Sequence, residues 1–453
     1  MKWVFLAGLL IATCALIAIL KSDRRRLPAA AFCLGLLPFI EARFHLLAAP
    51  MSWPAWLGQA KGIEISLADG LAFAIILATR RAASPAILKF ALSLILGAYV
   101  LSTMITGTRT ETLFVGWDLV RSIVIYQAVF RVIMTDERAL IALLTGMITG
   151  LTIQAVVVIT QMAGGSIQAV GWLGHQNLLG FACHFCVYPA LAAFLGGYYR
   201  KRTGLTVVAG LIVAFGGASR ATIGLLLLGM FLTLIFSTWH RSTGRKTAMI
   251  GGAMVALLLV TPVLQSAVGR RTAEQRAGSE EAREGMKAAA RMIISDYPLG
   301  IGANRYVIVA NVGGYSERAG LSWDPGSRGA PVHNSYYLVT AEMGWLGLVA
   351  LISTLAAGFL VAVRALRRSL PSFEGELAAG SAVSILMVAI HAYYEWIFFH
   401  HIVQSMLATC LGMASAIYVM SRRKAEGRLK RQLRADRTTD TAPALAFAAK
   451  SST

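Results

Sequence analysis

The sequence predicts an all-α polytopic membrane protein of about twelve to thirteen transmembrane helices with one large extramembrane loop. Three observations predict it. The 453 residues are 57% hydrophobic and only 14% charged, with a mean hydropathy of +0.64, far too apolar for a soluble globular chain of this length. Apolar runs of roughly 20 residues, enough to cross about 30 Å of hydrocarbon, recur from one end to the other. Basic residues collect in alternate loops between those runs, as the positive-inside rule requires.

The first run, MKWVFLAGLLIATCALIAIL, is followed rather than preceded by its positive cluster, KSDRRR, and no small-residue cleavage site separates the two. It reads as a first span with the amino terminus outside. Further runs at 28–48, 64–79, 87–105, 114–134, 139–162, 176–198, 203–218, 221–238, 247–267, 333–363, 377–398 and 400–421 bring the total to about thirteen. With that count, Lys21 and Arg24–Arg26, Arg80, Arg81 and Lys89, Arg138, Arg200–Arg202, Arg241, Arg245 and Lys246, and Arg364, Arg367 and Arg368 all fall on one side. The tail SRRKAEGRLKRQLR joins them and makes that side cytoplasmic. The expected organisation is residues 1–267 as spans one to ten, 268–332 as the large outer loop, 333–421 as spans eleven to thirteen, and 422–453 as a disordered basic tail.

The net charge of +20 is therefore a topology signal, and no basic segment with interleaved aromatics points to nucleic acid. All five cysteines lie in apolar runs, which argues against a disulfide framework. CHFC at 183–186 has metal-ligand spacing but no second ligand pair and reads as buried small hydrophobes. Within the loop, the stretch ending in YPLG reads as a helix with Met286, Ala290, Ile293 and Ile294 on one stripe.

Ionisable groups at span ends are the candidates for chemistry. Arg220 stands in GGASRAT between two runs, where small neighbours allow an anion-binding turn. Arg283 and Arg291 are eight residues apart and share roughly one helix face, and Arg305 follows in the same loop. His333 opens PVHNSYYLVTAEMGWLGL with Asn334 and Tyr337 behind it, and histidine is the side chain best poised to take a proton near neutral pH. HAYYEWIFFHH supplies His391 and Tyr394; an aromatic belt explains its tyrosines and tryptophan, though less readily its acid and three histidines. His175 and Asn177 stand at the outer start of another span, where Asn177 is a candidate helix cap.

Three stretches resemble the O-antigen ligase and polymerase superfamily of bacterial envelope proteins: HN with E-x-G-x-x-G (His333, Asn334, Glu342, Gly344, Gly347), P-x-x-G-x-G (Pro298, Gly300, Gly302) and S-R-A (Ser219, Arg220). The resemblance covers roughly residues 165–350, and here Arg283 is followed by Lys287 where the family usually has an aromatic, which leaves Arg283 and Arg291 both open. It implies a GT-C-like membrane glycosyltransferase of the bacterial inner membrane, with no metal and no cofactor. The donor would be a glycan on a polyprenyl diphosphate and the acceptor a sugar hydroxyl of a lipid-A core or a second glycan. Arg220 and Arg283 would neutralise the diphosphate and His333 would activate the acceptor, with Arg291, Asn334, Tyr337, His175, Asn177, Arg305, His391 and Tyr394 contacting substrate. No D-x-D motif for a nucleotide-sugar metal stands in the loop. The alternative is a transporter or flippase of lipid-linked oligosaccharide, which predicts charge inside several spans and symmetric halves.

Overall fold

Hydrocarbon offers no hydrogen-bonding partner to a peptide group, so apolar runs of this length satisfy their backbones internally as helices. The computed structural model describes residues 2–107, 109–252 and 273–450. Its long helices are α1 (Lys2–Ser22), α2 (Leu27–Ile40), α3 (Leu67–Ala78), α4 (Ala86–Thr106), α5 (Thr110–Thr135), α6 (Arg138–Ala163), α7 (Gln176–Gly196), α8 (Arg200–Gly217) and α9 (Arg220–His240). After the loop helices α10 (Ala273–Asp296) and α11 (Tyr306–Val312) come α12 (Ser335–Arg368), α13 (Phe373–His391) and α14 (His401–Lys450). Among the described residues nine of these, α1, α4, α5, α6, α7, α9, α12, α13 and α14, are long and apolar enough to cross a membrane. The tenth expected span, 247–267, lies outside the described residues beyond residue 252. Helix α14 continues to Lys450 through the basic stretch that composition reads as irregular.

One element differs in kind from the sequence expectation. The run at 28–48 ends as a helix at Ile40, and the apolar residues after it form β1 (Leu47–Ser52), paired antiparallel with β2 (Gly62–Ser66) in the register Leu47 with Ser66 and Ser52 with Gly62. Hydropathy cannot separate a strand from a helix in so short an apolar run, and Pro50 and Pro54 forbid a continuing helix. Ser66 then caps α3, its hydroxyl accepting from Asp69 N while Asp69 accepts from Ser66 N.

The loop builds a small core of its own. Met286, Ala290, Ile293 and Ile294 of α10, the stripe expected from the sequence, are buried against Tyr306, Val307, Leu321 and Val332 and against Leu338 and Ala341 of α12. The loop is locked to α12 where that helix breaks. Gly344 adopts φ 68° and ψ −173°, so the carbonyls of Ala341 and Glu342 lose their helical donors and accept instead from Ile301 N and Gly302 N, each at 3.0 Å. Trp345 N returns the contact by donating to Pro298 O at 3.2 Å. The P-x-x-G-x-G and E-x-G segments are thus two halves of one backbone joint. An alanine Cβ at Gly344 would meet the Leu299 carbonyl carbon at 2.6 Å and require a backbone conformation only glycine adopts readily. Gly344→Ala is expected to cost at least about 1–3 kcal/mol, read as a lower unfolding midpoint of the purified protein in detergent.

The Glu342 side chain holds the same joint from the other side. Its Oε2 accepts from Asn304 N at 2.8 Å and Gln59 Nε2 at 2.7 Å, and its Oε1 accepts from Tyr306 N at 3.0 Å. Asn304 in turn donates from Nδ2 to Ala60 O and Glu111 O, so the β-hairpin, the loop and the start of α5 meet around one buried carboxylate.

Candidate active site

His333 is displayed by a chain of local causes. Asn334 caps α12, its Oδ1 accepting from Tyr336 N at 2.9 Å and Tyr337 N at 3.0 Å. Ser335 pins that cap to the turn after α13: its N donates to Ala392 O at 2.8 Å and its hydroxyl to Glu395 O at 2.6 Å. Tyr336 adds a third tie, donating from its hydroxyl to Ala389 O at 2.7 Å. The residue before the cap is therefore fixed beside Glu395, and His333 Nδ1 lies 3.1 Å from Glu395 Oε2. A carboxylate only accepts, so the proton of the neutral ring sits on Nδ1 and Nε2 keeps its lone pair.

The second oxygen of Glu395 takes Arg283. Arg283 Nη2 is 3.3 Å from Oε1, with the guanidinium 41% exposed and Glu395 only 3% exposed. One buried carboxylate thus gathers the two expected catalytic groups from α10 and the α12 cap, while both keep an open edge. Nothing in the sequence singles out Glu395 except that an aromatic belt does not explain an acid there. Of the two loop arginines, Arg283 is the one brought to His333. Arg291 pairs with Glu284 at 3.5 Å and reaches the Tyr337 side chain, which raises its pKa.

The remaining candidates divide by position. His175 caps α7 by accepting from Asn177 N at 3.1 Å, so the cap is the histidine and not Asn177, which is buried in the first turn. Burial holds the His175 imidazole below its usual pKa; Glu395 opposes that shift and His333 adds to it, which places His175 in the field of the same pair. Arg220 is exposed at the first position of α9, behind Ser219, whose hydroxyl accepts from Thr222 N. Its turn lies against α7: Ala169 N donates to Gly216 O at 2.9 Å, and a Cβ on Gly217 would sit 3.6 Å from Gln176 Cβ. The turn that precedes Arg220 is therefore packed beside the start of α7.

Three candidates sit elsewhere. Arg305 turns to Glu111 at 3.6 Å and donates to Ile301 O, within the Glu342 joint. Tyr394 is exposed and edge-on to Tyr393. His391 is fully buried, its Nδ1 3.0 Å from His184 Nε2 and its ring stacked on Phe181. Tyr188 donates to Leu225 O, so it accepts from His184 Nδ1, and His184 Nε2 accepts from His391 Nδ1; this chain knits α7, α9 and α13 inside the bundle.

Residues 205–352 match the protein family described as O-antigen ligase. The matched stretch contains Arg220, Arg283, Arg291, His333 and the Gly344 joint, and ends before Glu395. No curated protein matches the chain.

Proposed function

We propose that this chain, a multi-pass membrane protein of the O-antigen ligase-like superfamily, moves a glycan from a polyprenyl-diphosphate carrier to a sugar hydroxyl at the bundle end that carries the 273–334 loop. The observation that supports it best is the Arg283–Glu395–His333 grouping inside and beside the family match, with both outer groups open to a ligand. The opposite end carries Arg24–Arg26, Arg138, Arg200–Arg202 and Arg364–Arg368, which favours a cytoplasmic assignment for that end and a periplasmic one for the site, in a bacterial inner membrane.

In this reading Glu395 holds His333 in the tautomer whose Nε2 accepts a proton. The acceptor hydroxyl gives its proton to Nε2 as its oxygen bonds to C1 of the donor sugar. The bond from C1 to the diphosphate oxygen breaks, and the electron pair leaves with polyprenyl diphosphate. The remaining N–H groups of Arg283 and the exposed guanidinium of Arg220 meet that negative charge, the role for which bidentate arginine is suited, so the step needs no divalent ion. The imidazolium then returns its proton to water or to the departing diphosphate.

The test is turnover by the purified full chain given a synthetic polyprenyl-diphosphate glycan and a sugar acceptor. Release of polyprenyl diphosphate matched by glycosylated acceptor supports the reading; movement of intact donor across a vesicle bilayer without release would replace it with a transporter. Arg283→Ala is expected to lower transfer roughly 10- to 100-fold, the weight of one charged contact, whereas Arg291→Ala changes it less than about threefold. The reverse ranking would move the arginine role to Arg291.

A further inference from the structure

Trp396, next in the chain to Glu395, lines a cavity of about 330 Å³ that the transfer chemistry does not use. It runs between the β-hairpin, α5, the α7 cap and the turn into α14, and Lys61, Glu64, Asp118, His175, His400 and His401 line it. Its carboxylates are under-used by the protein. Arg121, three residues after Asp118 on α5, gives its Nε to Asp69 of α3 at 2.8 Å and stays 4.0 Å from Asp118 through Nη1. Glu64 has His401 Nδ1 at 3.5 Å, beyond a good hydrogen bond. The buried Oε1 of Gln59, another lining residue, has no donor among the described residues.

Apart from the exposed Lys61, the ionisable donors of the cavity are uncharged imidazoles. His400 Nδ1 accepts from Ile402 N at 3.3 Å and His175 Nδ1 accepts from Asn177 N, so each neutral ring carries its proton on Nε2. Burial, reinforced by Arg121 and His175, pushes His400 down to about 4, consistent with that form. Carboxylate acceptors, imidazole N–H donors, an amide oxygen and the half-buried indole of Trp396 face one space that is small for a drug-sized pocket. A diphosphate or a uronate would meet two carboxylates there against the single exposed Lys61. Vicinal hydroxyls satisfy both kinds of group without adding charge, and a sugar ring presents an apolar face for the indole.

We propose that this cavity binds the terminal uncharged sugar ring of the acceptor and discriminates against acidic sugars, with Asp118 and Glu64 accepting from its hydroxyls. The assignment of the occupant as acceptor rests on the transfer reading above; the binding and its charge preference do not.

The experiment is ligand-observed NMR on the full chain in nanodiscs, titrated with a panel of neutral hexoses, N-acetylhexosamines and hexuronic acids. Saturable binding of at least one neutral sugar, absent for its uronate counterpart, is expected. Asp118→Asn and Glu64→Gln, which keep shape, are each expected to weaken the neutral sugar roughly tenfold or more and to relax the exclusion of the uronate. No saturable binding, equal binding of uronate by the native chain, or unchanged binding in both folded variants would each overturn the proposal. Binding should persist in His333→Ala, so a failure of transfer chemistry and a failure of the cavity assignment give different results.

Discussion

His333→Ala is expected to lower glycan transfer by about 10²- to 10⁴-fold, the usual contribution of a positioned acid or base, while the protein unfolds at nearly the same temperature. The two halves of that expectation have separate causes. The ring is 25% exposed and its described polar contact is with Glu395, which keeps Arg283 as a partner when the imidazole is gone. Glu395 Oε2 loses its described donor, but the ring it faces is partly exposed and its removal admits water to that oxygen, so the cost is expected to stay within about 1 kcal/mol. The chemistry loses its proton acceptor entirely. Glu395→Gln is the companion: an amide can donate to Nδ1 and favour the wrong tautomer, so transfer is expected to fall about tenfold or more with His333 still present. Polyprenyl diphosphate release, with thermal melts in parallel, measures both, and undiminished release from His333→Ala would remove the histidine from the mechanism.

Glu342→Ala is expected to behave in the opposite way. Its carboxylate accepts from Asn304 N, Tyr306 N and Gln59 Nε2 while 3% exposed, so truncation strands three donors around a cavity. At about 1–3 kcal/mol for each unsatisfied buried group, the loss is several kcal/mol, comparable to the whole stability of many domains. The expected outcome is poor recovery of folded protein, with whatever folds retaining a near-native transfer rate per molecule. Glu342→Gln, which keeps the shape and one acceptor oxygen, should recover part of the yield. Folded Glu342→Ala at normal yield but without transfer would instead make this acid part of the chemistry.

These two substitutions mark where the sequence was and was not legible. His333 and Glu342 stand nine residues apart in one motif, and the sequence offers no means of telling which displays a reactive group and which holds a joint. The difference lies in Gly344: once α12 breaks there, its freed carbonyls need donors, and the 298–306 segment supplies them and is anchored by Glu342. Arg121 gives a second case. Sequence spacing pairs it with Asp118, three residues away, and that pair is present at 4.0 Å, but Asp69 takes Nε at 2.8 Å from a different helix, and Asp118 also lines a cavity. The β-hairpin overlaps the ends of two runs that hydropathy reads as spans, because strand pairing depends on a partner that hydropathy does not see.

The sequence by itself determined the fold class, the loop helix with its buried stripe, and a short set of candidate ionisable residues at span ends and in the loop that includes His333, Arg220 and Arg283. These follow from local quantities: run length against bilayer thickness, helical periodicity, and the cost of charge in hydrocarbon. Only the tertiary structure decided that Glu395 links His333 to Arg283, that Arg291 faces elsewhere, and that His391 is interior. Those outcomes depend on which helices lie side by side, and a carboxylate 62 residues from His333 and 112 from Arg283 becomes their common partner only when α10, α12 and the turn after α13 pack together.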